Sequence, residues 1–312
     1  MSVASMSPSR AGVDQSLSSG ATFMTGARIH AVRQACPCRP RGRHSRVQDS
    51  ARRRDVVRCA LDPGSLVLVA GATGGVGQLV CAKLLERGMR VRALCRSEER
   101  AARLLGRREG LEVALGDVRQ PSTLRPAFQA VQAVACAMGT TAFPTLRWLG
   151  NNTPAAVNEA GTRALIDAAQ EACPAAPFVL VSSAGVERAD RLPYSILNAG
   201  GVLTAMAAAE AALRASGLAY TIVRPGRLTD GPYTSYDINT LLKGVAGQRQ
   251  AVQLASRDVL DGEASRIAVA ELVVQALVTG ALRDTSVSIS STTGSGPGDD
   301  TGEWKKLFQG LA

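Results

Sequence analysis

Short apolar runs alternate with helix-spaced apolar positions from residue 65 to the C terminus. Residues 66–70 form five consecutive apolar positions, which is typical of a buried β-strand. The segment that follows has apolar residues at Val76, Leu79, Val80, Leu84 and Leu85, the spacing of one helix face. The chain therefore begins its folded part with a strand, a glycine-rich turn and a helix.

The same alternation continues along the chain. Strands are predicted over 66–70, 90–94, 111–115, 131–137, 178–181, 220–223 and 287–290, with a short apolar piece at 252–254. Helices are predicted over 78–87, 98–105, 158–172, 200–215, 238–245, 265–278 and 303–311. Strands separated by helices predict an α/β fold with a doubly wound parallel sheet, and we expect a small substrate-side region in the C-terminal third.

The first 59 residues differ in composition from the rest. They hold eleven arginines, no lysine and three acidic residues, which accounts for +8 of the formal net charge of +10. A Ser- and Arg-rich segment without an apolar period is typical of an organelle transit peptide, and a persistent basic arm is the alternative. We predict a transit peptide over 1–59, a nucleotide-binding domain over 60–292, and a loop with a terminal helix over 293–312.

Removal of the tail changes which functions are open to the domain. The remaining 25 basic and 23 acidic residues nearly balance, which argues against nucleic-acid binding by the domain, and we expect no membrane span. Both histidines, His30 and His44, lie in the tail, so the domain is predicted to have no histidine-ligated metal and no Ser-His-Asp triad. The four cysteines outside the tail lack metal or redox spacing and are interpreted as small buried residues; they are Cys81, Cys95, Cys136 and Cys173.

The turn after the first strand has the spacing G-x-x-G-x-x-G at Gly71, Gly74 and Gly77. One glycine allows a tight turn, the next lets backbone N–H groups approach a pyrophosphate, and the last allows close packing of helix and strand. A plain loop is the alternative, and Gln78 in place of Lys excludes a P-loop. The cofactor-binding residues predicted in this run are Gly71, Thr73, Gly74, Gly75, Val76 and Gly77.

The second strand ends in Cys95-Arg96-Ser97, with no acid before Glu98. An acid at this place would bind a ribose 2′-OH, whereas an arginine accommodates a 2′-phosphate. We therefore predict NADP(H) as the cofactor, with Arg96 on the 2′-phosphate. The alternative is a surface arginine paired with Glu98 or Glu99.

Four blocks of the sequence resemble the atypical or extended short-chain dehydrogenase/reductase superfamily, in its chloroplast NAD(P)H-binding branch. They are the glycine run 71–77, Gly116-Asp117-Val118, the segment 179–184, and 220–226 with 228–232. The resemblance implies a Rossmann fold in the chloroplast stroma, with thylakoid association as the alternative. It implies that Asp117 faces the adenine, that Val118 also binds cofactor, that Asn158 lies near the ribose or nicotinamide, and that Pro225 and Gly226 line the nicotinamide end.

The resemblance also places Ser182 or Ser183 at the family's active-site serine, and Ser183 and Tyr194 are the candidate catalytic residues. The family's Tyr-x-x-x-Lys dyad is absent, because position +4 from Tyr194 is Asn198 and no other tyrosine has the lysine. Arg224 is the one cation we consider able to replace that lysine through space.

Two functions remain open. One is an oxidoreductase or isomerase of atypical mechanism, using Ser183, Tyr194 or the tyrosines Tyr233 and Tyr236 on an unknown small molecule. The other is a non-catalytic NADPH-binding or redox-sensing assembly factor with a plastid protein partner.

Overall fold

The computed structural model describes residues 60–229 and 251–311. The predicted transit peptide, the helix predicted at 238–245 and the tyrosines Tyr233 and Tyr236 lie outside these ranges. All statements below concern the described residues.

Eight strands form one sheet in the order β3-β2-β1-β4-β5-β6-β10-β8, which confirms the doubly wound sheet. Neighbours pair in parallel, except that β8 runs antiparallel to β10. A separate parallel pair joins β7 to β9. The bounds are β1 Leu66–Ala70, β2 Arg90–Cys95, β3 Leu111–Leu115, β4 Ala133–Cys136, β5 Phe178–Val181, β6 Tyr220–Pro225, β7 Arg227–Thr229, β8 Ala251–Ala255, β9 Glu263–Ser265 and β10 Thr285–Thr292.

Within the described ranges, the helices lie close to their predicted positions, except that the short α4 was not predicted. They are α1 Gly75–Glu86, α2 Glu98–Leu105, α3 Thr162–Ala172, α4 Tyr194–Leu197, α5 Val202–Ala215, α6 Arg266–Thr279 and α7 Thr301–Gln309. The helix predicted over 158–172 is divided, because Ala155–Gly161 is a π-helix that leads into α3. A π-helix presents an apolar face much as an α-helix does, so the pattern of hydrophobic residues did not separate the two.

Both faces of the sheet are covered by helices. Along β1, Leu66, Leu68 and Ala70 pack into one apolar cluster, and Val67 and Val69 pack into the other. Side chains alternate between the faces of a strand, so a strand that is covered on both sides reads as a continuous apolar run.

Buried charges fix α6 against α1. Glu271 accepts hydrogen bonds from Lys83 Nζ at 2.7 Å and from Arg87 Nη2 at 2.5 Å. The Glu271 side chain is 2% exposed, so both cations are needed to compensate its removal from water. The two helices are therefore held in register, and both begin at the same cleft.

The terminal helix α7 packs against the hydrophobic core. Trp304 and Phe308 are buried, their ring centroids are 5.9 Å apart, and Trp304 Nε1 donates to the carbonyl of Gly298.

No single helix in the described part of the chain is long and apolar enough to cross a membrane. One bent pair, Tyr194–Gly200 with Val202–Ala215, meets the length and composition criteria, with an angle of 85° between its members.

Candidate functional site

The glycine-rich turn after β1 has the backbone geometry that its spacing predicts. Gly71 has φ +79°, and a Cβ there would lie 2.6 Å from the carbonyl oxygen of Ala137. Gly74 N donates to the Gly71 carbonyl at 2.8 Å, which closes the turn. A Cβ on Gly77 would overlap that same carbonyl of Gly71. Only glycine fits at positions 71 and 77 without movement of the backbone.

Gly74 differs from the other two glycines in its backbone conformation. Its φ is −83°, an ordinary value for any residue, so the left-handed conformation of this turn belongs to Gly71. A Cβ on Gly74 would lie 3.1 Å from the Gly71 carbonyl oxygen, which is tight but requires only a small shift. The fold of the turn therefore does not itself require glycine at position 74, in contrast to positions 71 and 77.

The turn forms one wall of a cleft of about 980 Å³ at the carboxyl ends of the strands. Of the predicted cofactor-binding residues, seven line this cleft: Gly71, Thr73, Gly74, Gly75, Arg96, Asp117 and Val118. Val76 and Gly77 lie in the first turn of α1, behind the wall. The cleft is also lined by the loop after β4, including Ala137, Met138 and Thr140, and by Leu146 and Leu149.

Three arginines gather where β2 ends and α2 begins. Arg96, Arg100 and Arg103 all line the cleft, and none forms an ion pair with a described carboxylate. Arg96 does not pair with Glu98 or Glu99, since its Nη1 donates instead to Asn152 Oδ1 at 2.7 Å. The sequence pattern pointed to Arg96 and not to the other two, although Arg100 and Arg103 are three residues apart in α2 and so lie on one helix face.

Asp117 is bound by a neighbouring arginine. Arg119 Nε donates to Asp117 Oδ1 at 2.9 Å, and its Nη2 donates to Oδ2. These hydrogen bonds hold the pKa of Asp117 below its usual value. Arg119 Nη1 also donates to the carbonyl of Gly150, so this pair ties the end of β3 to the loop across the cleft. No sequence motif pointed to Arg119.

Asn158 lies on the π-helix and is 1% exposed. Its Oδ1 accepts from the backbone N–H of Thr140 at 3.1 Å, and no described group partners its Nδ2. Thr140 lines the cleft and Asn158 does not. The structure therefore places Asn158 behind the loop after β4, where it positions the backbone of that loop.

Both serines after β5 are hydrogen bonded to other groups of the protein. Ser182 is buried and donates to Glu210 Oε1 at 2.6 Å, while Ser183 Oγ donates to the carbonyl of Ala184 at 3.0 Å. Glu210 in turn binds Arg224, through Nε at 3.0 Å and Nη2 at 2.6 Å. Neither serine lines the cleft.

Tyr194 lies in a polar cluster of its own, and it also does not line the cleft. Its hydroxyl donates to Asp261 Oδ1 at 2.5 Å and accepts from Arg188 Nη2 at 3.1 Å. Burial and the hydrogen bond to Asp261 raise the pKa of Tyr194 to about 12. A general acid that works near neutral pH needs a shift in the other direction.

The remaining predicted residues have packing partners. Pro225 is buried at the end of β6, and a Cβ on Gly226 would lie 2.5 Å from the carbonyl oxygen of Gly262. Neither residue lines the cleft.

Three of the four described cysteines are buried and Cys173 is half-buried, and none has the lowered pKa of a reactive thiol. Burial raises the pKa of Cys95, Cys136 and Cys173 to about 11, and it raises that of Cys81 as well. No group of three or more metal-ligating side chains is found in residues 60–229 and 251–311.

Comparison with protein families matches residues 71–279 to the model of a family described as NAD(P)H-binding. Among curated relatives, the chloroplastic protein TIC 62 of Pisum sativum is 33% identical over 226 residues, which cover 67% of this chain and 39% of that protein. Sanguinarine reductase of Eschscholzia californica is 29% identical over 279 residues, covering 78% of this chain and 94% of the reductase. The photosystem II assembly factor Ycf39 of Trieres chinensis is 31% identical over 175 residues, covering 56% and 50%. The chain thus spans well under half of the first of these relatives.

Solved structures share the fold at low sequence identity. The oxidoreductase ylbE from Lactococcus lactis has a TM-score of 0.60 at 18% identity, covering 79% of this chain and 96% of that one. A wide-type short-chain dehydrogenase/reductase from Veillonella parvula, solved in complex with NADP, has a TM-score of 0.54 at 19% identity, covering 72% and 94%.

Proposed function

The chain belongs to the NAD(P)H-binding family, as the sequence resemblance indicated, and we propose that it is an NADP(H)-dependent oxidoreductase of atypical mechanism that works in the chloroplast. The observation that carries the cofactor assignment is the cluster of Arg96, Arg100 and Arg103 in the cleft that also contains the glycine-rich turn. The reductase relative, whose length this chain covers almost completely, supports the reaction class.

The described residues fit a dinucleotide along the whole cleft. A Cβ at Gly71 or Gly77 would overlap backbone atoms, so glycine at these positions allows the tight turn. The backbone N–H groups at the start of α1 can donate hydrogen bonds to a pyrophosphate. The three arginines at the β2 end have no carboxylate partner among the described residues. One guanidinium can donate two parallel hydrogen bonds to the oxygens of a phosphate. NAD(H) has no 2′-phosphate to satisfy this cluster, so the charge favours NADP(H).

A bound nicotinamide would supply a hydride. We place that ring at the loop after β4, where Asn158 holds the backbone of Thr140 and Met138 lines the cleft. Among the described residues that line the cleft, no tyrosine or histidine supplies a proton. This favours substrates that accept a hydride without a proton from the protein, such as iminium ions, flavins or quinones.

A non-catalytic role is the second candidate, and the surroundings of Ser182 and Tyr194 favour it. Both hydroxyls are committed to carboxylates, Ser182 to Glu210 and Tyr194 to Asp261. In this role the chain would bind NADPH as a structural or redox-sensing ligand and act on a plastid protein partner. The relatedness to an assembly factor and to TIC 62 supports it.

We further propose that residues 1–59 direct the chain into the chloroplast and are removed there, with the domain in the stroma or associated with thylakoids. The chloroplastic relative supports the organelle. N-terminal sequencing of the protein from isolated chloroplasts tests the cleavage, and a start at Met1 or Ser2 would contradict it.

One experiment separates the two functions. The purified protein is assayed for NADPH oxidation with iminium, flavin, quinone, aldehyde and enone acceptors, while NADPH binding is measured by titration. Turnover that Gly74→Val abolishes supports the oxidoreductase. Tight NADPH binding without oxidation by any acceptor supports the non-catalytic role.

A further inference from the structure

Arg266 is a cation in the cofactor cleft that no sequence motif singled out. It is the first residue of α6, and it lines the same cleft as Gly71, Thr73, Gly74 and Gly75 of the glycine-rich turn. It therefore comes from the last third of the chain to a cleft whose other lining residues lie between positions 71 and 157.

The start of α6 is held rigidly in this place. The buried pairs of Glu271 with Lys83 and Arg87 hold α6 beside α1. The backbone N–H of Ser265 donates to Ser291 Oγ at 3.1 Å, which attaches the residue before Arg266 to β10. The backbone that carries the Arg266 side chain is therefore held in place.

Most of the hydrogen-bonding capacity of Arg266 is unused within the described residues. Its Nη1 donates to the carbonyl of Thr229 at 2.5 Å, and a guanidinium has five N–H donors. No described carboxylate pairs with it, whereas Arg119 in the same cleft is neutralised by Asp117. Within the described residues, Arg266 thus offers a positive charge with further N–H donors in the cleft that the glycine-rich turn also lines.

The ligand that this arrangement suits is an anionic oxygen pair next to the glycine-rich turn. We have assigned the 2′-phosphate to Arg96, which follows β2, and to Arg100 and Arg103 of α2, which come from a different part of the cleft wall. The turn is stabilised by a hydrogen bond from Gln78 Nε2 to the Thr73 carbonyl at 3.2 Å. The backbone N–H groups of the turn are hydrogen-bond donors, but they carry no full positive charge. A planar guanidinium adds that charge and two parallel donors.

We propose that Arg266 binds the pyrophosphate of the dinucleotide, as a charged clamp that supplements the backbone N–H groups at the start of α1. This deepens the proposed function, but it depends only on dinucleotide binding and not on catalysis or on the preference for NADP(H).

Three ligands separate the parts of the cofactor. NADPH and 2′-phospho-ADP-ribose both contain the pyrophosphate, whereas 2′-AMP contains only the adenosine and the 2′-phosphate. Their dissociation constants are measured by calorimetry on the full chain and on Arg266→Gln, Arg266→Lys and Arg96→Ala. The matched control is Arg227→Gln, since Arg227 pairs with Glu263 and does not line the cleft.

For Arg266→Gln we expect binding of NADPH and 2′-phospho-ADP-ribose to weaken about tenfold or more, with 2′-AMP unchanged within twofold. Arg266→Lys keeps the positive charge but lacks the two parallel donors of a guanidinium, so its loss of affinity for these two ligands should be intermediate. Arg227→Gln should bind all three ligands as the parent does. If thermal unfolding shows that Arg266→Gln is poorly folded, the Arg266→Lys variant provides the same comparison.

The proposal would be overturned if Arg266→Gln and Arg266→Lys both bind NADPH and 2′-phospho-ADP-ribose as the parent does. It would be overturned equally if the only effect of the two variants were a higher KM for a second substrate. Equal weakening of all three ligands would also overturn it, because the effect would not be specific to the pyrophosphate. Arg96→Ala should weaken all three. If Arg96→Ala has no effect while Arg266→Gln shows the expected pattern, the 2′-phosphate assignment fails and the pyrophosphate assignment stands.

Discussion

Arg224 Nη2 donates to Glu210 Oε2 at 2.6 Å, and both side chains are buried. Arg224 Nη1 also pairs with Glu187 at 2.7 Å, and Ser182 donates to Glu210. The guanidinium is thus bound on two sides by carboxylates. The expectation that Arg224 could replace the missing lysine beside Tyr194 is corrected by this finding, because Tyr194 is bound instead by Asp261 and Arg188.

The first prediction concerns the stability of this buried pair. Glu210→Leu leaves Arg224 inside the protein without its main partner, and removal of one member of a buried ion pair typically costs about 3 to 5 kcal/mol. The double variant Glu210→Leu with Arg224→Met should be less destabilised than Glu210→Leu alone. Urea unfolding of the two variants and the parent measures the difference.

A double variant that is less stable than Glu210→Leu would contradict this account. Arg214→Ala serves as the control, since Arg214 also pairs with Glu210 but is 38% exposed at its side chain. A pair of this exposure contributes at most about 1 kcal/mol.

A second prediction follows from the raised pKa of Tyr194. Burial and the hydrogen bond to Asp261 raise that pKa from 10 to about 12, so the folded protein holds the phenolic proton more tightly than the unfolded chain does. The resulting stabilisation is complete below pH 10 and is lost as the pH rises from 10 to 12. Absorbance titration of the parent minus Tyr194→Phe should show no ionisation of this tyrosine below pH 10. A transition near pH 7 to 8 would contradict the assignment and would revive Tyr194 as a general acid.

The fold was predictable from the sequence because strands and helices are determined by local apolar spacing. The bounds of α2, β3 and β5 agree with the sequence pattern, and the strand, turn and helix that begin with β1 lie where the glycine motif requires. Arg96 could be found because it directly follows a strand. Arg100 and Arg103 could not, since arginines on a helix surface usually face solvent.

The partners of the other site residues depend on contacts between distant parts of the chain. Tyr194 and Asp261 are 67 positions apart, and Lys83 and Glu271 are 188 apart. No local pattern signals such a pair. The burial of Asn158 follows from the π-helix and from Thr140, which lies 18 positions earlier and on another element.

The third prediction tests the cofactor preference. The parent should bind NADPH more tightly than NADH by about ten- to a hundredfold, the equivalent of roughly 1.5 to 3 kcal/mol for charge-assisted hydrogen bonds. Arg96→Asp should erase or invert this preference, and Arg100→Ala and Arg103→Ala should each reduce it. Arg90→Ala is the control, because Arg90 lies at the opposite end of β2 and does not line the cleft. Equal affinities of the parent for the two cofactors would refute the assignment.

The fourth prediction compares two glycines of the turn. Gly74→Val should retain the fold and abolish NADPH binding, because Gly74 has an ordinary φ of −83° and its missing side chain leaves room for the ligand. Gly77→Ala should lower stability even without cofactor, since its Cβ would overlap the Gly71 carbonyl. Circular dichroism melting with NADPH titration separates the two effects. Undiminished binding by Gly74→Val would mean that the turn is only structural.

The last prediction is that Tyr194 does not act as a catalytic acid. Its hydroxyl donates to Asp261 and it does not line the cofactor cleft, so replacement by phenylalanine should leave NADPH binding unchanged and should lower any NADPH-dependent turnover by less than tenfold.

A conventional dyad needs a cation that lowers the tyrosine pKa toward 7, a shift of about 3 units that requires roughly 4 kcal/mol of differential stabilisation. Position +4 is the neutral Asn198, whose side chain instead caps the start of α5 by accepting from the backbone of Leu203 and Thr204. Arg188 lies within hydrogen-bond distance, but burial and Asp261 outweigh its effect on the Tyr194 pKa.

The variants Tyr194→Phe and Asn198→Lys are assayed with the same panel of acceptors as the parent. If Tyr194→Phe lowers brisk turnover of a carbonyl more than about a hundredfold, which corresponds to roughly 2.7 kcal/mol of transition-state stabilisation, the atypical mechanism is wrong.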